Sequence, residues 1–248
     1  VSALASVGAT GSINFMIIGF CMGVCNGFAI PVAQRFGAKD EHGMRKFVAN
    51  SVWLSIIFAV VMAVLVCVFC RQILELMNTP EDIIDGSYSY IFVIFLGIPA
   101  TYMYNLLSGI MRSLGDSKTP LYLLIFSSIL NIILDLLSII VLKMGVAGAA
   151  WATVIAQAVS GFCCLGVIWK KFPILHVQRE EWQPDKLCIL NLCNMGIPMG
   201  LQYSITAIGS VIIQAAVNSL GSVAVASVAA AVKINMFLCC PYDAMGST

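Results

Sequence analysis

The sequence predicts an all-α bundle of membrane-spanning helices, and three observations carry that prediction. Of the 248 residues, 60% are apolar and only 10% are charged. The mean hydropathy is +0.97. The charges fall in short segments that separate seven apolar stretches, each near the ~20 residues needed to cross a bilayer. A soluble domain carries about 25% charged residues, so this composition excludes a soluble enzyme and a disordered segment. A formal net charge of +1 offers no basic field to a nucleic acid. The period-2 alternation of an outer-membrane barrel is absent.

The predicted spans run, in order, over Val7–Ala33, Phe47–Cys70, Ser89–Met111, Leu121–Leu142, Val146–Trp169, Cys188–Val217 and Val223–Cys240. The loops after spans one, three and five hold ten Lys and Arg residues: Arg35, Lys39, Arg45, Lys46, Arg112, Lys118, Lys170, Lys171, Arg179 and Lys186. The alternate loops hold only Arg71 and Lys143. Basic loops stay cytoplasmic, so Val1 is expected outside and Thr248 inside. No initiating Met or charged leader is present, and no polar tail follows the last span. Both ends therefore read as cut.

Residues Val1–Asn14 align without gaps to Ser222–Asn235, matching at seven of fourteen positions with an offset of 221. Six predicted helices separate the copies, so both share one orientation. A parallel duplication of six-helix halves gives about twelve helices, and the chain is then expected to be a fragment.

Two charged side chains sit well inside a predicted span, Asp135 and Lys233. A charge in hydrocarbon costs about 2.5–3.5 kcal/mol on insertion scales and marks a functional candidate. Spans four and five form a hairpin joined by Lys143–Gly145, which places Asp135 and Thr153 at similar depth, each seven residues from the outer end. Asn131 and Gln157 follow one turn deeper, each four residues along and on the same face. Gly145, Gly148, Ala149, Ala150 and Ala152 keep span five thin, so the backbones approach closely. Ala149 sits one turn before Thr153. A carboxylate, a carboxamide, a hydroxyl and nearby carbonyls suit Na⁺ or a proton-carrying carboxylate. The alternative is that Asn131, Thr153 and Gln157 only bond the helices together. Lys233 faces a central cavity, pairs with an acid in the missing part, or snorkels.

The segments GFCMGVCNGFAIPVAQRFGAKD (Gly19–Asp40), RSLGDSKTP (Arg112–Pro120), LNIILDLLSII (Leu130–Ile140), GVAGAAWATVIAQ (Gly145–Gln157) and GIPMGLQYS (Gly196–Ser204) resemble the multidrug and toxic compound extrusion (MATE) family. They cover essentially the whole chain as family helices two to eight of twelve. The resemblance implies two six-helix lobes around a cavity, exporting organic, often cationic compounds in exchange for Na⁺ or H⁺. It implies that Asp135, Asn131 and Thr153 belong to a cation site in the N-terminal lobe, with Tyr90 as a candidate member. The first-helix acid of many members precedes Val1. The seventh-helix Glu of others is lacking in Leu201–Ala207, where Thr206 falls in its place. Tyr203, Thr206, Tyr90 and Lys233 are candidates for the substrate cavity. The implied lobes are residues 1–172 and 188–248, joined by a cytoplasmic linker at 173–187, in a multi-pass plasma-membrane protein.

The remaining motifs point to no other chemistry. Cys67-x-x-Cys70 ends an apolar helix without the context of a redox motif, and the adjacent cysteine pairs read as small apolar filler. His42 and His176 lie in loops, no His/Cys metal cluster is expected, and no phosphate-binding Gly-Lys-Ser/Thr loop is present. No cofactor beyond the coupling ion and no obligate protein partner are expected; the partners are small organic cations and membrane lipid. Pro99 and Pro198 sit inside predicted helices, as kinks or hinges. Trp182, in the linker, is placed at the membrane interface. Rival readings are a lipid-linked oligosaccharide flippase of the same plan, whose cavity would be richer in Arg or Lys, and a seven-helix receptor.

Overall fold

A computed structural model describes residues 2–76 and 81–218, together with residues 235, 238, 239, 241 and 245. The described residues are helical, with no strand among them. Four helices are long and apolar enough to cross a membrane: Ile13–Gly37 within α1 (Ser2–Gly37), α2 (Glu41–Val68), α6 (Lys118–Leu136) with its extension to Val141, and α7 (Gly145–Lys171). A fifth span is the bent pair α4 (Glu81–Leu96) and α5 (Ile98–Ser113). A short α3 (Cys70–Leu76) follows α2, and α8 (Lys186–Asn218) contains the sixth predicted stretch. The seventh stretch and most of the Ser222–Asn235 copy lie outside the described residues.

The third predicted span is two helices rather than one. Pro99 occupies the first turn of α5, and the axes of α4 and α5 differ by 45° across Gly97. Proline has no N–H to donate and its ring crowds the preceding turn, so the helix breaks there. Pro198, by contrast, stays within a continuous α8, as Pro31 does within α1.

Backbone contacts divide the chain into one compact unit, Val1–Tyr203, and a second, Ser204–Thr248, whose described part is mainly the C-terminal portion of α8. In the first unit, α1 packs on α2, α4 and α5, while α7 lies against α4, α5 and α6. Phe28, Phe95, Tyr102, Ile98 and Met111 are fully buried at the centre of this packing. Only 6% of the apolar window of α6 is buried. Leu121, Ile125, Ile129, Ile132 and Leu136 are all exposed, a surface that suits hydrocarbon and not water.

Glycines set a close helix contact. Gly19, Gly23 and Gly27 recur every four residues on α1, and Gly196 and Gly200 do so on α8. A Cβ on Gly27 would stand 2.5 Å from the Gly196 Cα, and one on Gly23 2.6 Å from the Met199 carbonyl oxygen. Both obstacles are backbone, so these two helices touch main chain to main chain, the arrangement that small residues permit in membranes.

The segment after α7 is fastened to α2. Glu181 is buried, and its carboxylate accepts from Arg45 Nε at 2.9 and 3.0 Å and from the Gln178 backbone N–H at 2.8 Å, with His42 Nδ1 2.9 Å away. Trp53 Nε1 donates to the Trp182 carbonyl at 3.1 Å, and the Asp185 N–H donates to Asn50 Oδ1 at 3.0 Å. Burial works against a charged Glu181, but the Gln178 N–H, Arg45 and His42 outweigh it and hold the carboxyl below its ordinary value.

Candidate functional site

The hairpin of α6 and α7 builds the site. Its tip turns through Lys143 (φ 52°) and Gly145 (φ 62°), left-handed positions that glycine takes without cost and lysine does not. Immediately after α6 the chain winds as a π-helix over Leu137–Val141, a form concentrated at functional sites. Asp135 lies two residues before it.

Counting residues at a uniform rise puts Asp135 opposite Thr153, whereas Asn131 Nδ2 is the group that donates to Thr153 Oγ1, at 3.3 Å. Thr153 Oγ1 in turn donates to the Ala149 carbonyl at 3.1 Å. Asn131, Thr153 and Ala149 are therefore joined, with Asp135 one turn along the same face of α6.

Asp135 Oδ1 is buried and has no hydrogen-bond partner among the described residues. A buried carboxylate oxygen without a donor is costly, unless a cation or a proton occupies it in the working cycle. Tyr90 of α4 is half-buried. The arrangement offers a carboxylate, a carboxamide, a hydroxyl and a carbonyl: hard oxygen donors of the kind that alkali cations prefer.

Gln157 bonds to α5. Its Oε1 accepts from Thr101 Oγ1 at 2.5 Å. Thr101 and its neighbour Asn105, whose Nδ2 donates to the Thr101 carbonyl at 2.8 Å, were not singled out by sequence. Their spacing of four on a polar face of α5 is the signal that would have found them. Tyr203 is exposed on α8, its Cβ 3.5 Å from the place a Gly19 side chain would start, and Thr206 is exposed in the second unit. Lys233 lies outside the described residues. No group of three or more metal-ligating side chains occurs among the described residues, and nine described cysteines are free thiols.

At the other end of the hairpin, Asp116 of the GDSKTP segment accepts from the Thr119 N–H at 3.0 Å, the Thr119 hydroxyl at 2.6 Å and Lys171 Nζ at 2.6 Å. Burial disfavours its charge, but Lys171 and Thr119 prevail and bring its pKa down to about 2. This network holds the first turn of α6 and ties it to the end of α7. Arg112 Nη2 donates to Asn26 Oδ1 at 3.2 Å, joining α5 to α1.

A polytopic bundle of long apolar helices is the architecture of a membrane protein. The MatE family model matches residues 1–137, more than half of the chain, and the protein belongs to that family, whose members are transporters and not enzymes. "Probable multidrug resistance protein YoeA" of Bacillus subtilis is 30% identical over 256 residues, covering 99% of this chain and 55% of that protein. Multidrug resistance protein PmpM of Pseudomonas aeruginosa is 30% identical over 208 residues, covering 80% of this chain and 43% of that one. The chain spans about half the length of the curated relatives it matches. Among solved structures, MATE in the bent conformation superposes with a TM-score of 0.92 at 24% identity, over 99% of this chain and 55% of that one. An outward-facing MATE transporter superposes with 0.84 at 24% identity, over 95% and 53%. These likenesses establish the same fold.

Proposed function

We propose that the full-length protein is a secondary active antiporter of the plasma membrane, exporting organic cations in exchange for Na⁺ or H⁺ by alternating access. The observation that carries this reading is the buried, unpartnered Asp135 Oδ1 beside Asn131, Thr153 and Ala149. A family member whose relatives bear multidrug-resistance names has a use for such a group as the seat of the coupling ion. Asp135, Asn131, Thr153 and the Ala149 carbonyl are the proposed ion-binding groups, with Tyr90 at their edge and Gln157 behind them. When the ion leaves, the uncompensated carboxylate favours the conformation that accepts a cationic cargo, so ion and cargo alternate. Tyr203, Thr206 and Lys233 are proposed as residues of the substrate cavity. The positive-inside distribution of Lys and Arg supports an outside Val1 and a cytoplasmic Thr248.

The test is accumulation of a fluorescent cationic dye in cells with and without the full-length gene, in media with and without Na⁺ across a range of pH. Reduced accumulation that depends on Na⁺ or on the proton gradient supports the reading. Unchanged accumulation together with a glycolipid defect would overturn it in favour of a lipid-linked oligosaccharide flippase.

A further inference from the structure

We propose that Thr101 is a positioning residue for the ion site: its hydrogen bond to Gln157 latches the bent α4–α5 span to the helix that carries Thr153. This rests on the antiport reading above. The bend and the site meet on α7. Thr153 points to α6, while Val154 and Gln157, one and four residues later, meet the α4–α5 joint. α7 packs so near the joint that a Cβ at Gly97 would collide with the Val154 side chain. Pro99 leaves the joint short of a helical hydrogen bond. The Thr101 N–H closes the next turn onto the Gly97 carbonyl at 3.1 Å, and its hydroxyl lies 3.4 Å from the same oxygen and 2.5 Å from Gln157 Oε1.

Thr101 is buried, at 4% exposure, and Ser108 and Cys164, further along the same two helices, approach at 3.9 Å. Among the described residues, the Thr101–Gln157 bond is thus the polar tie between α5 and α7 closest to Thr153. A change in the angle at Gly97 moves Thr101, Gln157 and hence Thr153 together. Conversely, an ion drawing on the Thr153 oxygen biases the bend. Neither Thr101 nor Gln157 carries charge, so the latch acts on the geometry of the Asp135 site and leaves its net charge alone.

The experiment uses the full-length protein in proteoliposomes, with cationic-dye efflux driven by a Na⁺ gradient at fixed pH and, separately, by a proton gradient without Na⁺. The half-saturating concentration of whichever ion drives the wild type is compared in Thr101→Val, Thr101→Ser and Gln157→Met. Thr101→Val and Gln157→Met are expected to raise it by about three- to fifteen-fold, the range of interhelical hydrogen bonds in membranes. Thr101→Ser, which keeps the hydroxyl, is expected to restore the wild-type value. A lowered melting temperature with an unchanged half-saturating concentration would make the bond merely structural and overturn the proposal. If Thr101→Val is not recovered from the membrane, Gln157→Met decides alone. Asp135→Asn, run in parallel, separates the two levels. Its normal ion-driven efflux overturns the ion site and the latch with it. Its loss alongside wild-type behaviour of both latch variants overturns the latch alone.

Discussion

Replacing Gly27 by alanine tests the backbone contact between α1 and α8. The new Cβ would stand 2.5 Å from the Gly196 Cα and 2.7 Å from the Met195 carbonyl oxygen. Carbon atoms pack at about 3.5–4.0 Å, so the helices must part by about 1 Å. Backbone cannot yield as a flexible side chain can, and Val24 and Phe28, both fully buried on the same face of α1, lose contact as the gap opens. Overpacking of this kind costs about 1–3 kcal/mol, with the value here expected near the upper end. Gly166→Ala is the control: nothing lies within 4 Å of its Cβ, and alanine in a helix gains up to about 1 kcal/mol over glycine. Thermal unfolding of the detergent-solubilised full-length protein, followed by size-exclusion chromatography, reads both. Gly27→Ala should melt well below wild type, while Gly166→Ala should melt at or above it. Equal melting of the two variants would refute the close approach.

Three further outcomes follow from the loops. Glu181→Ala leaves Arg45, whose side chain is 16% exposed, without its main partner. The expected cost is about 3 kcal/mol, measured by chemical denaturation. Because the folded-state pKa of Glu181 is held below its ordinary value, the stability it contributes is complete above that ordinary value and is lost as pH falls through the folded one. Wild type should therefore lose more stability than Glu181→Gln on acidification below about pH 4.5. Asp116→Asn removes the anchor of Lys171 and weakens the hold on the first turn of α6, with an expected loss of about 1 kcal/mol. The contribution of Asp116 is present above the ordinary 3.8 and persists to lower pH than that of most carboxylates, since its folded pKa is about 2. The variant and wild type should converge in stability only near that pH.

Part of this architecture was legible in the sequence. Composition and charge spacing placed the described spans, because hydrocarbon leaves few choices for where a charge can sit. The i, i+4 pairing of Asn131 with Asp135 put both on one face before any coordinates. The pairing across the hairpin was not fully legible, since the chain winds as a π turn over Leu137–Val141 and Thr153 bonds to Asn131. Local sequence gives no sign of such a turn. Thr101 was hidden for a different reason: its partner Gln157 is 56 residues away, and only the fold shows which face of α5 meets α7. The glycines of α1 and α8 carried a readable four-residue spacing, yet that spacing names no partner. The linker acids illustrate burial most plainly. Glu180 and Glu181 are identical as text, but Glu181 is 2% exposed and neutralised by Arg45, while Glu180 faces solvent. The predicted interfacial Trp182 is in contact with Trp53 edge to face, with ring centroids 6.4 Å apart.

The central claim is that Asp135 holds the coupling ion, and the most direct measurement is gradient-driven efflux by Asp135→Asn in full-length protein reconstituted into liposomes. Asparagine keeps the size of the side chain and removes its charge, so insertion and folding are expected to match wild type by size-exclusion profile. The account predicts that dye efflux under an imposed Na⁺ or proton gradient falls to the rate of protein-free liposomes. Efflux at the wild-type rate, with wild-type dependence on the driving ion, would contradict it.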